Sequence, residues 1–173
     1  MLDPAKSGGL VLDTSIWINL LATEAIEAIL GAFAVSFFAL EQVVMEIKRH
    51  PSTGTTFLME DHPLRKMSPK VSVLSLEGEE LELFLEIVGA PAVDSLGDGE
   101  AAAIAVAVCR GLDLVIDDRK ARRILRERFG QIRTYWTVDL LRAHSVIVAL
   151  KHSQVDECFA KSLRFGRMHV PRN

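Results

Sequence analysis

Short apolar runs alternate with longer stretches in which apolar residues recur every three or four positions, and this alternation repeats along most of the chain. The run over 10–12 reads as a short buried strand closed by Asp13, and Thr14 or Ser15 can cap a helix running through Ile16-Trp17-Ile18-Asn19-Leu20-Leu21. Residues 23–30 carry helical spacing that Gly31 stops, and 33–38 form a β-rich run that predicts a second strand. Leu40, Val43, Val44 and Ile47 fall at i, i+3, i+4 and i+7, so 40–48 predicts an amphipathic helix with Glu46 off the centre of its apolar stripe.

The stretch 50–69 is rich in Pro, Ser, Thr, Gly and charge and reads as the least regular part of the chain. A strand over 71–76 follows, then a helix over 78–88 in which Glu79, Glu80, Glu82 and Glu86 read as a solvated face. Asp98 can cap an alanine-rich helix over 100–110 that Gly111 terminates, and 112–116 supplies a further strand. Asp117 or Asp118 opens a basic helix that ends before Gly130. A short strand over 131–136 precedes two closing helices, 138–144 and 154–162, joined by the apolar run 146–150. Strands alternating with helices imply crossover connections, so the pattern predicts an α/β fold, a three-layer sandwich around a mainly parallel sheet. Reactive residues then collect at the carboxyl ends of the strands.

Composition narrows the picture. At 173 residues and 49% hydrophobic content, the chain suits one domain over 1–173 with a sizeable core. Charges interrupt the apolar stretches well short of the roughly 20 residues that span a bilayer, so a cytoplasmic protein without membrane contact is expected. Cys109 and Cys158 lack metal-type spacing and read as reduced core residues. A formal charge of −3 excludes a generally basic nucleic-acid binder but not a local field. That field is strongest over 119–133, where Arg119, Lys120, Arg122, Arg123, Arg126, Arg128 and Arg133 oppose the single acid Glu127. Lys161, Arg164, Arg167 and Arg172 form a second, more diffuse basic group.

The candidate chemistry lies in acids at element junctions: Asp13, Glu46, Asp98, Glu100, Asp117 and Asp118. Each has an ordinary explanation, because carboxylates are favoured at helix N-termini and on exposed helix faces. Together they have a different one. Two like charges about 4 Å apart repel by roughly 4 kcal/mol at an effective dielectric near 20, so gathered carboxylates need a cation or must take up protons. An oxygen-only set suits Mg²⁺ or Mn²⁺ rather than zinc, and the histidines His50, His62, His144, His152 and His169 show no pairing with these acids along the sequence.

Four motifs carry the acids in order: Leu12-Asp13-Thr14-Ser15, Val43-Val44-Met45-Glu46-Ile47, Gly97-Asp98-Gly99-Glu100-Ala101-Ala102-Ala103, and Val115-Ile116-Asp117-Asp118-Arg119-Lys120-Ala121. In that order and spacing they resemble the PIN-domain family of metal-dependent nucleases, most nearly its prokaryotic, toxin-like members. The resemblance implies that Asp13, Glu46, Glu100 and Asp118 are the catalytic acids. Asp13, Glu100 and Asp117 or Asp118 would hold Mg²⁺ or Mn²⁺ directly or through water, while Glu46 would position metal or orient water. Asp98 is close enough to share the role of Glu100, and the eighteen-residue step from Glu100 prefers Asp118 over Asp117. Thr14, Ser15 and Thr137 match hydroxyl positions near the metal or the nucleophilic water. The implied activity is endonucleolytic hydrolysis of single-stranded RNA, with an antitoxin protein and a second copy of the chain as partners. Arg119, Lys120, Arg122, Arg123 and Arg126 would contact phosphates from the first turns of their helix.

Two other readings compete. A PIN-like module without catalysis would act through protein partners, and a metal-dependent phosphatase would use Asp13 as nucleophile. The usual phosphatase pattern repeats an acid two residues on, where this chain has Ser15. Trp17, Ile18, Leu20 and Leu21, with the apolar face around Ile26 and Ile29, could form a dimer surface or simply pack in the core.

Overall fold

Apolar strands this short survive only where both of their faces are covered, and the computed structural model, which describes residues 8–171, places them so. The elements run β1 (Leu10–Leu12), α1 (Thr14–Ala22), α2 (Ile26–Gly31), β2 (Phe37–Leu40), α3 (Glu41–Glu46), α4 (Pro63–Lys66), β3 (Val71–Leu74), α5 (Glu79–Val88), α6 (Asp98–Arg110), β4 (Asp113–Val115), α7 (Arg119–Arg128), β5 (Thr134–Tyr135), α8 (Thr137–Leu141) and α9 (His144–Phe165). The strands form one sheet in the order β3-β2-β1-β4-β5, and every neighbouring pair is parallel. This is the expected α/β sandwich, with a sheet that is wholly rather than mainly parallel.

β1 lies at the centre, with Leu10, Val11 and Leu12 fully buried. Its register against β4 pairs Leu12 with Val115, so both strands end at the same level. Helix α6 covers the sheet with small side chains: Ala101, Ala102, Ala103, Ala105 and Ala107 are all fully buried, and α6 also packs against α5. α9 packs against α1, α2 and α8 and contains one break, at Lys151, where φ is 65° and ψ is 157°.

Several local expectations change. The second strand begins at Phe37, because Phe33 belongs to the turn after α2 and meets the Phe37 ring edge-on at 5.7 Å. Asp13, not Thr14 or Ser15, caps α1, and Asp98 is the first residue of α6, whose cap is Gly97. The run 146–150 is helical and belongs to α9 instead of linking two helices. Glu80 departs from the solvated acidic face: it is buried and takes the Arg110 guanidinium at 2.5 Å. Asp113, at the start of β4, is likewise buried and paired, with Arg133 at 3.0 Å and the Tyr135 hydroxyl at 3.4 Å. Cys109 is exposed and only Cys158 is a core cysteine.

The apolar residues offered as a dimer surface belong to the interior. Trp17, Leu20 and Ile29 are fully buried, Leu21 is nearly so, and Ile18 and Ile26 pack against the core. Of the second basic group, Arg172 lies outside the described residues. Among the described residues, no helix is long and apolar enough to cross a membrane.

The alanine face of α6 leaves no room for a larger side chain between the sheet and α5. Replacing Ala103 by Leu should cost about 1–3 kcal/mol, read as a lowered urea midpoint at unchanged slope.

Candidate metal centre

The site grows from the carboxyl edge of the sheet. Asp13 continues β1 by one residue, donating its backbone N–H to the Val115 carbonyl at 3.2 Å. Its side chain then turns to cap α1. One carboxylate oxygen accepts the Thr14 N–H at 2.6 Å, and the other accepts the Ser15 N–H at 3.3 Å and the Ser15 hydroxyl at 2.6 Å. The group is 1% exposed. Burial pushes its pKa up from 3.8 to about 6; the Ser15 and Thr14 hydrogen bonds work against that rise, and the Glu46 charge adds to it.

Glu46, at the end of α3, is held by two donors from different elements. The Thr14 hydroxyl donates to it at 2.6 Å and the Gly99 N–H at 3.0 Å. Gly99 has to be glycine here, since a Cβ would fall 2.1 Å from the Thr14 hydroxyl and 2.8 Å from a Glu46 oxygen. One residue on, Glu100 reaches back to accept the Gly97 N–H at 3.3 Å, as a third helical residue does when it completes its own cap. Burial, then the charges of Asp13 and Asp118 and more weakly Glu46, drive the Glu100 pKa from 4.5 to about 7, against the opposing Gly97 bond. Glu100 therefore stands in the field of three of the predicted acids. Asp98 is exposed and lines a neighbouring cleft of about 460 Å³ with Thr14 and Glu46.

The doubled acid divides its duties. Asp117 is buried and accepts the Thr137 N–H at 2.8 Å, the Thr137 hydroxyl at 2.7 Å and the Asn19 amide at 3.0 Å. Burial raises its pKa, opposed by the Thr137 bonds, by the backbone N–H of His169 and by the His169 charge. Asp118 caps α7 by accepting the Ala121 N–H at 2.7 Å. Both acids line an open cleft of about 410 Å³ with Ser15, Glu100, Arg119, Arg167 and His169.

Three of the residues around these acids were not among the predicted site residues. Asn19 is fully buried; besides Asp117, its amide nitrogen reaches Thr137 at 3.0 Å and its oxygen accepts the Arg167 N–H at 2.6 Å. Its signal in the sequence is a polar residue inside an apolar run. Arg167 and His169 arrive from the segment after α9, and the His169 ring accepts a hydrogen bond from Arg119 at 3.1 Å and lies 5.6 Å from the Trp136 ring.

The basic helix α7 is largely occupied with its own fold. Lys120 donates to the Ala92 and Ser95 carbonyls, Arg123 pairs with Asp94 and Glu127, and Arg128 pairs with Glu86. Arg122 donates to the Ile116 and Tyr135 carbonyls and lies 4.0 Å over the Trp136 ring. Arg119 is the α7 cation that faces the acids, and Arg126 is exposed away from that cleft.

The donor set fits a hard divalent cation. It offers carboxylate oxygens that raise each other's proton affinity, and among the described residues none of Asp13, Glu46, Glu100, Asp117 or Asp118 forms an ion pair with Lys or Arg. No three His, Cys, Asp or Glu side chains among those residues are grouped tightly enough to cage an ion on their own. A hard divalent cation that keeps part of its water shell needs only one or two carboxylates from such a set.

A family model described as a PIN domain matches residues 9–153, a span that holds all six acids. No curated protein matches the chain.

The raised carboxyl pKa values make a signed prediction. In the unfolded chain Asp13 and Glu100 titrate near 3.8 and 4.5, and in the folded chain near 6 and 7, so the folded state holds more protons between those limits. Their contribution vanishes below about pH 4, turns destabilising as pH rises, and is fully adverse above about pH 7. In metal-free buffer Glu100→Gln should therefore raise the melting temperature at pH 8 and leave it unchanged at pH 4, with about 2–4 °C expected per kcal/mol relieved. Equal shifts at both pH values would contradict the assignment.

Proposed function

Since the chain belongs to the PIN-domain family, we propose that it is a Mg²⁺- or Mn²⁺-dependent endoribonuclease hydrolysing phosphodiester bonds of single-stranded RNA. The observation that supports this reading is the mutual field of Asp13, Glu46, Glu100 and Asp118, none of which forms an ion pair with Lys or Arg among the described residues. Asp13, Glu100 and Asp118 would hold the ion, with Asp117 behind them fixing the neighbouring backbone. When bound, the ion supplies Lewis acidity at the phosphoryl group and lowers the pKa of water.

The remaining chemistry belongs to the chain's own side chains. Glu46 is locked by Thr14 and Gly99 and so presents its carboxylate in one orientation, suited to aligning a water. Without a cation, burial and the neighbouring acids hold the Glu100 pKa near 7; a bound ion would lower it and keep the carboxylate ionised as a ligand. Thr137 and Asn19 hold Asp117 by hydrogen bonds that leave no rotational freedom at its carboxylate. The phosphatase alternative is disfavoured by sequence, since the position two residues after Asp13, where that pattern repeats an acid, is Ser15, whose hydroxyl donates to Asp13.

Asp13→Asn keeps an acceptor for the cap of α1 but removes the charge. It should lower Mn²⁺-dependent cleavage of single-stranded RNA by more than about 100-fold, beyond the loss typical of groups that only support a metal ligand, while the circular-dichroism melt stays cooperative. Wild-type protein should also melt at a higher temperature with Mn²⁺ through linkage, and the variant should lose that response. A wild-type chain indifferent to Mg²⁺ and Mn²⁺ would instead identify a binding module.

A further inference from the structure

The segment after α9 folds back over the carboxyl edge of the sheet, and it does so through specific bonds. The Arg167 N–H is taken by the Asn19 side chain at 2.6 Å, the backbone N–H of His169 by Asp117, and Met168 is buried between them. Upstream, the Ser162 hydroxyl donates to the Asn19 carbonyl at 3.0 Å. Gly166 lies so close to Asn19 that a Cβ there would fall 2.4 Å from its amide oxygen. A single buried residue therefore anchors both Asp117 and the returning chain.

This anchoring fixes where the Arg167 side chain stands. It lines the cleft of Glu100, Asp117 and Asp118, the cleft of Thr14, Glu46 and Asp98, and a third that adjoins Lys48 and Arg49. Among the described residues its guanidinium has neither a hydrogen bond nor an ion pair, although acids lie on both sides. An exposed arginine whose backbone is pinned and whose planar fork is unclaimed is prepared for an anion that offers two acceptor oxygens, as a phosphodiester does. Lys120, Arg122 and Arg123 of α7 cannot take that part without giving up their partners within the fold.

We propose that Arg167 is a substrate-binding residue that grips a backbone phosphate of the RNA beside the acids, with Lys48 and Arg49 before it and Arg119 after it along the strand's path. Asn19 is its positioning residue. The proposal rests on the nuclease reading above, and it assigns part of the site to a segment beyond residues 9–153, the span the family model covers.

The test uses the full chain and a fluorescein-labelled oligouridine, with anisotropy in Ca²⁺ to read binding and cleavage in Mn²⁺ to read turnover. Arg167→Ala should weaken binding about tenfold or more and flatten the slope of log K against log salt by about 0.7, the share of one phosphate contact on a single strand. Arg167→Lys should fall between, keeping the charge but not the fork. Arg164→Ala, which removes an equal charge three residues earlier, should change neither quantity. Because the Arg167 side chain is exposed and makes no hydrogen bond or ion pair among the described residues, the melting temperature should hold. Wild-type protein that cleaves RNA while Arg167→Ala binds and cleaves equally well overturns this inference alone. So does an equal loss in Arg164→Ala, which would reflect diffuse charge, or faster cleavage by Arg167→Ala, which would mark the segment as a plug. Wild-type protein that neither binds nor cleaves RNA overturns the nuclease reading and this inference with it.

Discussion

The parallel ladder between β1 and β4 pairs Leu10 with Asp113, Val11 with Leu114 and Leu12 with Val115, and it bonds the Asp13 N–H to the Val115 carbonyl one step further on. Side chains alternate faces along a strand, so a slip of one residue would turn Asp13 relative to Asp117 and bury a charge in the apolar layer. Everything at the candidate site is hung from this register. α1 starts at Asp13 and brings Asn19 under Asp117; β4 ends at Val115 and brings Asp118 to the start of α7. α6 then approaches closely enough for the Gly99 backbone to bind Glu46, which a side chain at that position would prevent.

Close approach of acids has an electrostatic consequence that packing alone does not remove. Asp13 and Glu100 both have pKa values well above the ordinary carboxylate range, because burial disfavours their charge and their neighbours carry the same sign. The local hydrogen bonds relieve this only in part. A fold selected for stability alone has simpler solutions, such as the Arg110 partner that Glu80 receives. The acids at the sheet edge have hydroxyls and amides around them, which orient a carboxylate without cancelling it.

Much of this was legible along the chain, and what was not has a common cause. Strands were visible as apolar runs and helices as three- and four-residue spacing, because those signals are local. The acids were visible because charge directly after a buried run is conspicuous, and Asp13 proved to cap α1 as well as face the site, so the two explanations were not rivals. Asn19 gave only a hint, since its partners Asp117 and Thr137 are 98 and 118 residues away. Arg167 showed only as one charge of a diffuse C-terminal basic group, and His169 as a histidine with no acid beside it along the sequence. The basic residues of α7 show the same limit: their charge is plain in the sequence, while the groups that bind Lys120, Arg122, Arg123 and Arg128 come from 86–95, 116, 127 and 135.

One buried aspartate opens β4 and another lies two residues past its end. Asp113, the first residue of β4, pairs with Arg133 and accepts from Tyr135; Asp117, two residues after the strand closes, accepts from Thr137, Asn19 and the His169 backbone and forms no ion pair with Lys or Arg among the described residues. The same residue type, at the same depth on either side of one strand, is thus ion-paired at one pole of the sheet and held by uncharged donors at the other. Both are equally buried, so depth does not tell these two acids apart, and the charge of the partner that holds each one does.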